Sequence, residues 1–319
     1  MTAPPPEARR VLHDGILCHL AAPGPGGPHV TPVVFVLDGD RIWATVARGT
    51  AKARRWRREP LAAGLVRVGD LALTFRGPIT VHDALDPETW AVSILRAPQV
   101  ARASIRFSLK NARFFAGYAR DAARVPLGWT PPGRVFVSVD LEAGALLDGA
   151  SGEVAERWGE WGSRVTSGRA FRATRRGRGP DRLLPDDIRP LLEVPGTGVV
   201  GLDGSRGPVV LPVGWARADG SYTAVLPRGF LGLAGVRPEG RAALVVDRAS
   251  AWRAATMRGV LLRGAVETYV PDRVRTGREA LLARARRTGD VPADPAVLRI
   301  HPDSAVWWRG WASATVRRS

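Results

Sequence analysis

The sequence predicts a mainly β protein with helices (α+β), built as two small barrels in tandem. Three observations predict it. The segment Gly27-Pro28-His29-Val30-Thr31-Pro32 returns as Gly207-Pro208-Val209-Val210-Leu211-Pro212. Short runs rich in Val, Ile, Leu and Thr, separated by Gly, Asp and Pro, fill both halves, which is how the antiparallel strands of small barrels read. The landmarks around the repeated segment also recur in one order, and a repeat of about 150 residues is a duplicated domain rather than a solenoid unit.

Taken in order, each half opens on a short helical stretch (7–13; 187–193) that ends at Gly15 or Gly196. Strands are expected at 30–37, 41–46, 61–68 and 71–81, and in the second half at 199–202, 209–216, 222–226, 242–246 and 256–269. Turns at Asp38-Gly39-Asp40 and Asp219-Gly220, a basic loop with a proline (Pro60; Pro238), and an Arg-Gly pair (Arg76-Gly77; Arg263-Gly264) punctuate both copies. A helical segment and a last strand (134–139; 297–301) close each one. The helical interval is longer in the first half, where 87–125 reads as mostly helix broken or kinked at Pro98. There Trp90, Ile94, Ile105, Leu109, Phe114, Phe115 and Tyr118 are expected to pack the helices together. Residues 149–184 show little periodicity and read as a linker with a short helix at 154–161. The division is thus 1–149, a linker at 150–184, and 185–319.

Composition narrows the class. The chain has 319 residues, 45% of them hydrophobic, and no apolar stretch approaching the ~18 residues of a membrane span. Residues 1–10 lack an apolar signal region, and Cys18 is the single cysteine, so a cytoplasmic protein without disulfides is expected. Cys18 sits in an alternating run, as a buried thiol would. The net charge of +17 invites nucleic acid, since clustered cations release counterions from phosphates. These cations are scattered, however, and nearly all are arginine; the basic tract 169–182 reads as a solvated linker. The five histidines (His13, His19, His29, His82, His301) are scattered too, and no zinc spacing, phosphate loop or Gly-x-Ser-x-Gly is present, so no metal is expected and catalytic residues stay unassigned.

Several runs carry a family resemblance. They are Gly15-Ile16-Leu17-Cys18-His19-Leu20-Ala21, the repeated Gly-Pro segment with Val33-Val34-Phe35, Asp38-Gly39-Asp40-Arg41-Ile42-Trp43-Ala44-Thr45, Lys52 followed by Pro60, and Trp307-Trp308-Arg309-Gly310 near the end. Together they resemble the pyridoxamine 5'-phosphate oxidase-like family of flavin-binding split barrels, over nearly the whole chain as two copies. The resemblance implies two split β-barrel domains with FMN at the interface of two barrels, normally from two subunits. A flavin phosphate wants cationic and hydroxyl donors, and the resemblance points to Thr45, Arg48, Thr50, Lys52 and Arg55 for it, with Arg54 beside them.

The second copy reads Val225-Leu226-Pro227-Arg228-Gly229 at that loop, and one arginine remains. Conversely, its closing strand has Trp307-Trp308 where the first copy has Leu146-Leu147. Loop and tryptophan are each kept once, in opposite copies. We therefore expect an internal pseudo-dimer with one site per chain, Lys52 holding the phosphate and Trp308 covering the ring system. Arg318 occupies the place of another family arginine and reads as part of a frayed basic terminus. The family's Ser-Arg-Lys appears as Thr50-Ala51-Lys52, and its substrate-binding Arg-x-His as Ala314-Thr315-Val316, which argues against vitamin B6 oxidation. The implied function is an FMN-binding oxidoreductase acting on a small organic molecule. The alternatives are a deazaflavin-dependent reductase and a non-catalytic module that binds a cofactor or nucleic acid; haem ranks behind these. Whether the pseudo-dimer pairs again into a homodimer is open at this level.

Overall fold

The computed structural model describes residues 3–126, 129–130, 133–161, 179–218, 220–235, 240–250, 252–269, 292 and 294–317. Its first barrel uses β1 (Leu17–Ala22), β2 (His29–Asp38), β3 (Arg41–Ala47), β4 (Leu61–Val68), β5 (Leu71–His82) and β6 (Arg134–Asp140). All pair antiparallel in the order β4-β1-β2-β3-β6-β5, and a β4–β5 pairing closes the ring. β7 (Ala143–Asp148) leaves the ring to pair with the first part of β5, and β8 (Val154–Trp158) pairs with β7. Helix α1 (Pro6–Asp14) presents Ala8, Val11 and Leu12, an i, i+3, i+4 stripe, to the barrel end.

The second barrel repeats the plan. β9 (Gly196–Gly204), β10 (Gly207–Ala218), β11 (Ser221–Pro227), β12 (Gly240–Arg248), β13 (Arg258–Tyr269) and β14 (Pro295–Arg309) close through β11–β14, and β15 (Ala312–Arg317) extends the sheet on β14. In register terms β14 does the work of β6 and β7 together. Its first part pairs with β11 and its last part with β15, with a bulge between them opposite Arg263 and Gly264.

That bulge explains the duplicated Arg-Gly pair. A Cβ on Gly77 would lie 1.8 Å from the Asp140 carbonyl oxygen, and one on Gly264 would lie 1.9 Å from that of His301. Backbone meets backbone there, so only glycine fits.

The repeated Gly-Pro segment has an equally physical cause, and it lies between the barrels. Gly27, at φ +91°, rests on Arg241 and Ala242 of β12, and Gly207, at φ +107°, rests on Leu61 of β4. Counting along the paired strands places Leu61 and Arg241 at equivalent positions, because His19–Leu65 in one barrel corresponds to Val199–Val245 in the other. Each hairpin therefore presses the same spot on the opposite barrel, which is the internal two-fold expected from the duplication. A single apolar cluster spans the contact, joining Ala21, Val30, Ala63 and Leu65 to Val199, Val200, Leu202 and Val210. An interface continuous with the core is of the obligate kind.

Two expectations are corrected. Residues 154–158 form strand β8, not a helix, because β7 offers them an open edge. The helices α3 (Trp90–Leu95), α4 (Ala97–Lys110) and α5 (Ala112–Arg120) do break at Pro98, which stands in the first turn of α4, but several of their large apolar residues face outward. Ile94, Ile105 and Leu109 are 70%, 63% and 72% exposed, and Trp90 and Phe115 are exposed as well. α4 seats instead on Ala103 and Phe107, and Ile105 and Leu109, each two residues from Phe107, point about 200° away from it. The helical segment expected between Gly264 and 297, the basic tract at 169–178, Pro238, Asp219 and Arg318 lie outside the described residues.

A candidate cofactor cleft between the barrels

The loop after β3 is shaped by its own hydrogen bonds. The Thr50 hydroxyl donates to the Ala47 carbonyl at 2.8 Å and accepts from the Ala53 amide at 3.3 Å, capping α2 (Ala51–Arg58). α2 then divides its residues by helical spacing. Lys52, Ala53 and Trp56 turn inward, whereas Ala51 and Arg55, one turn apart, share another face.

That other face borders a cleft of about 580 Å³ between the barrels. His29, Ala51 and Arg55 line it from the first barrel, and Arg263, Val306, Thr315 and Arg317 from the second. No carboxylate is among these residues. The side chains of Arg55, Arg263 and Arg317 have no hydrogen bond or ion pair among the described residues, and the Arg263 Nε is buried without a partner. Nearby Arg241 is paired with Asp303. The Arg263 pKa is lowered, first by burial and then by Arg241, Arg55 and Arg317, against the pull of Asp303. The arginines are thus close enough to feel one another, and bringing unpaired cations together is unfavourable until an anion joins them. Burial, with Lys52, Arg263 and Arg55, pushes His29 down to about 3. Its imidazole is neutral at pH 7, with a donor and an acceptor to offer.

Of the six residues singled out in the sequence, Arg55 reaches the cleft. Thr45 accepts from the Arg134 guanidinium through its hydroxyl and its carbonyl. Arg48 is ion-paired to the buried Asp83 at 2.8 Å, where Arg57 also binds. Thr50 caps the helix. Lys52 is 4% exposed; its Nζ donates to the Leu20 carbonyl at 3.3 Å and lies 5.3 Å from the Trp56 ring centroid. Burial drives its pKa down to about 7, opposed by the neighbouring Cys18, whose own thiol burial pushes up to about 12. Trp308 lies over Gly259, where a Cβ would come within 2.4 Å of its ring. It stands two residues beyond Val306, so on the same face of β14, with a buried, partnerless Nε1.

Arg263, Arg317 and His29 escaped the sequence reading as site residues. The duplication carried the signal for Arg263, since it belongs to the repeated Arg-Gly pair. Nothing local marks Arg317, which the β14–β15 register places opposite Ser304.

The two-fold predicts a twin cleft, and the structure shows it closed. Arg76 takes the place of Arg263 there, and its two terminal nitrogens donate to the carbonyls of Arg206 and Glu160, each at 2.5 Å. The Trp161 ring centroid lies 5.6 Å from the Arg76 guanidinium carbon. Trp161 is buried, its indole N–H donating to the Gly144 and Trp158 carbonyls. Register puts Gly159 where the open cleft has Arg317, because Gly144–Trp158 corresponds to Ala305–Val316. Val209 stands in for His29. β11 runs straight into α6 (Arg228–Ala234), whose one cation, Arg228, meets Asp294 at 3.2 Å.

Residues 4–95 match the family model described as pyridoxamine 5'-phosphate oxidase. Among solved structures, a pyridoxamine 5'-phosphate oxidase-related, FMN-binding protein from Nostoc punctiforme aligns at 17% identity over 44% of this chain and 78% of its own, with a TM-score of 0.32. A FAD-binding protein from Mesorhizobium loti aligns at 17% identity over 44% and 91%, with a TM-score of 0.30. An F420 reductase aligns at 21% identity over 44% and 98%, with a TM-score of 0.31. No curated protein matches the sequence.

Proposed function

We propose, from the match of residues 4–95 to the pyridoxamine 5'-phosphate oxidase family model, that this chain binds a flavin-type coenzyme in the open inter-barrel cleft and is an oxidoreductase for a small organic molecule. FMN is the first form to test and a deazaflavin coenzyme the second, because both bring a phosphate to the same cations. The observation that carries the reading is a cleft with three guanidiniums and no carboxylate, drawn from both barrels of one chain. The donor set suits a phosphate: arginine forks match its oxygens, and charge-assisted bonds in a partly dry site are the strong ones.

The roles follow from placement. Arg55 takes the phosphate from the first barrel, with the N-terminus of α2 beside it at Ala51. Arg263 and Arg317 reach it from the second barrel. Thr50, Arg48 and Thr45 hold the loop in shape through their internal partners, and Lys52 supports it from inside the barrel. Trp308 flanks the ring system along β14. His29 stays neutral beside the arginines and offers a hydrogen bond without adding charge. Once bound, the coenzyme supplies the hydride or electron chemistry, while the chain orients it and excludes water. Both walls belong to one polypeptide, so the proposed site needs no partner subunit.

The test is an absorption spectrum of the purified protein, followed by quenching of tryptophan fluorescence on titration with FMN. Arg55→Ala is expected to weaken FMN by roughly 10- to 100-fold, the worth of a charge-assisted hydrogen bond, with the circular dichroism unchanged. A colourless wild type whose fluorescence ignores FMN and the deazaflavin coenzyme alike sinks the reading.

A further inference from the structure

The helices between β5 and β6 carry an apolar face that the barrel does not use. On α4, Ala103 and Phe107 seat against the barrel. Pro98, Ala101, Ile105 and Leu109, spaced i, i+3, i+7 and i+11, form a second stripe on the outer side, and all four are exposed. α3 adds Ile94 and Leu95, the latter 83% exposed. Holding aliphatic side chains in water is unfavourable, and a gathered patch of them marks a contact surface. None of these residues lines the inter-barrel cleft.

The charge around the stripe indicates what covers it. From Trp90 to Arg120 the chain has five arginines and one lysine and no aspartate or glutamate. Arg102 and Arg106 each stand three residues before one of the exposed aliphatics, and both reach the buried carboxylate of Asp38, at 2.8 and 3.0 Å, with more than half of each side chain left in solvent. Two cations on one carboxylate leave a net positive charge beside the stripe. The Arg113 guanidinium lies 5.0 Å from the ring centroid of the exposed Trp252, and the half-exposed Trp90 indole donates its N–H to the Ala84 carbonyl. Cationic helices with an aliphatic outer stripe and tryptophans at both ends have the composition of a segment that lies in the headgroup layer of a bilayer.

The chain does not complement this face itself. A second copy would set the same arginines against these and brings the same net charge of +17, and like charges in contact repel. The tract 169–178 is basic as well.

We propose that the outer face of α3 and α4 docks on an anionic lipid surface. Ile94, Leu95, Ile105 and Leu109 enter the boundary between headgroups and acyl chains, and the arginines meet lipid phosphates. The contact is peripheral, since no helix among the described residues is long and apolar enough to cross a membrane.

Co-sedimentation of the full chain with vesicles of phosphatidylcholine, alone or mixed in equal parts with phosphatidylglycerol, tests this. The chain is expected to pellet with the anionic vesicles and to stay in solution with the neutral ones, with an affinity that falls in high salt. Ile105→Ser combined with Leu109→Ser, two outward changes that leave the core untouched, should weaken binding at least about tenfold with an unchanged thermal melt. Arg67→Gln removes the same kind of charge from an exposed site on β4 and should alter binding by less than about twofold. Equal pelleting of the double variant would show that net charge alone holds the chain to lipid and overturn the proposal, as would failure of the wild type to pellet with either vesicle. Light scattering covers the other occupant: a wild-type dimer that the double variant splits assigns the face to a second copy and overturns the lipid.

Discussion

Replacing Lys52 with methionine removes a buried amine and keeps its stem. The amine sits at about 7 instead of its ordinary 10.5, chiefly through burial, so between those values the folded protein holds fewer protons than the unfolded chain. At ~1.36 kcal/mol per unit, that mismatch costs about 4 kcal/mol of stability at pH 7 and about 2 at pH 9. The penalty grows as pH falls towards the folded pKa and fades above 10.5. Methionine abolishes it and gives up one neutral hydrogen bond to the Leu20 carbonyl, about 1 kcal/mol. Lys52→Met should therefore stabilise the protein by about 3 kcal/mol at pH 7 and by about 1 at pH 9, read from urea unfolding at both pH values. A variant that is less stable at pH 7, by an amount independent of pH, would show that Lys52 is charged and paired, and refute the reasoning. FMN titration of the same variant adds a second reading, because an affinity loss beyond about tenfold in a folded variant assigns the phosphate to Lys52 and not to the arginines.

Other changes test the frame and the acid side. Gly77→Ala and Gly264→Ala drive a methyl into a carbonyl oxygen and should each cost more than about 3 kcal/mol or abolish soluble expression, whereas Gly39→Ala, strained but with open space around it, should cost about 1. Trp161→Gly should destabilise by about 3–5 kcal/mol, and flavin titration should still give one site per chain, because the twin cleft lacks the other cations. Burial first of all pushes His29 and His82 down to about 3 and about 4, so the unfolded chain binds more protons below pH 6.5. Stability should fall as pH drops from 6.5 towards 4, by on the order of 3 kcal/mol for each, and His29→Leu should flatten that slope in thermal melts.

The fold was legible because duplication leaves local marks. Gly27 and Gly207 need a positive φ, and Gly77 and Gly264 need the space of a missing side chain, so each copy wrote the same residue at the same step. The strands were legible by alternation and turn chemistry. The helices 90–120 were harder, since an apolar residue on a short helix reads the same whether it faces the barrel or the solvent. Ala103 and Phe107 won the inner face, and nothing local ranks them above Ile105 and Leu109. Residues 154–158 read as part of a short helix within a linker, and only the open edge of β7 makes them a strand.

The site divides in the same way. The sequence by itself determined two matching halves, one with a basic helix after its third strand and one without, and so put the asymmetry of charge in the chain. Tertiary structure decided which basic residues face the asymmetric space. Within α2 the Trp56 face carries Lys52 into the barrel and leaves Arg55 on the cleft, a choice fixed by helical period once the barrel is known. Arg263 and Arg317 join Arg55 from far along the chain because the two-fold lays β13 and β15 across from α2. The charge that matters is a sum over residues distant in sequence, and only their packing brings it into one place.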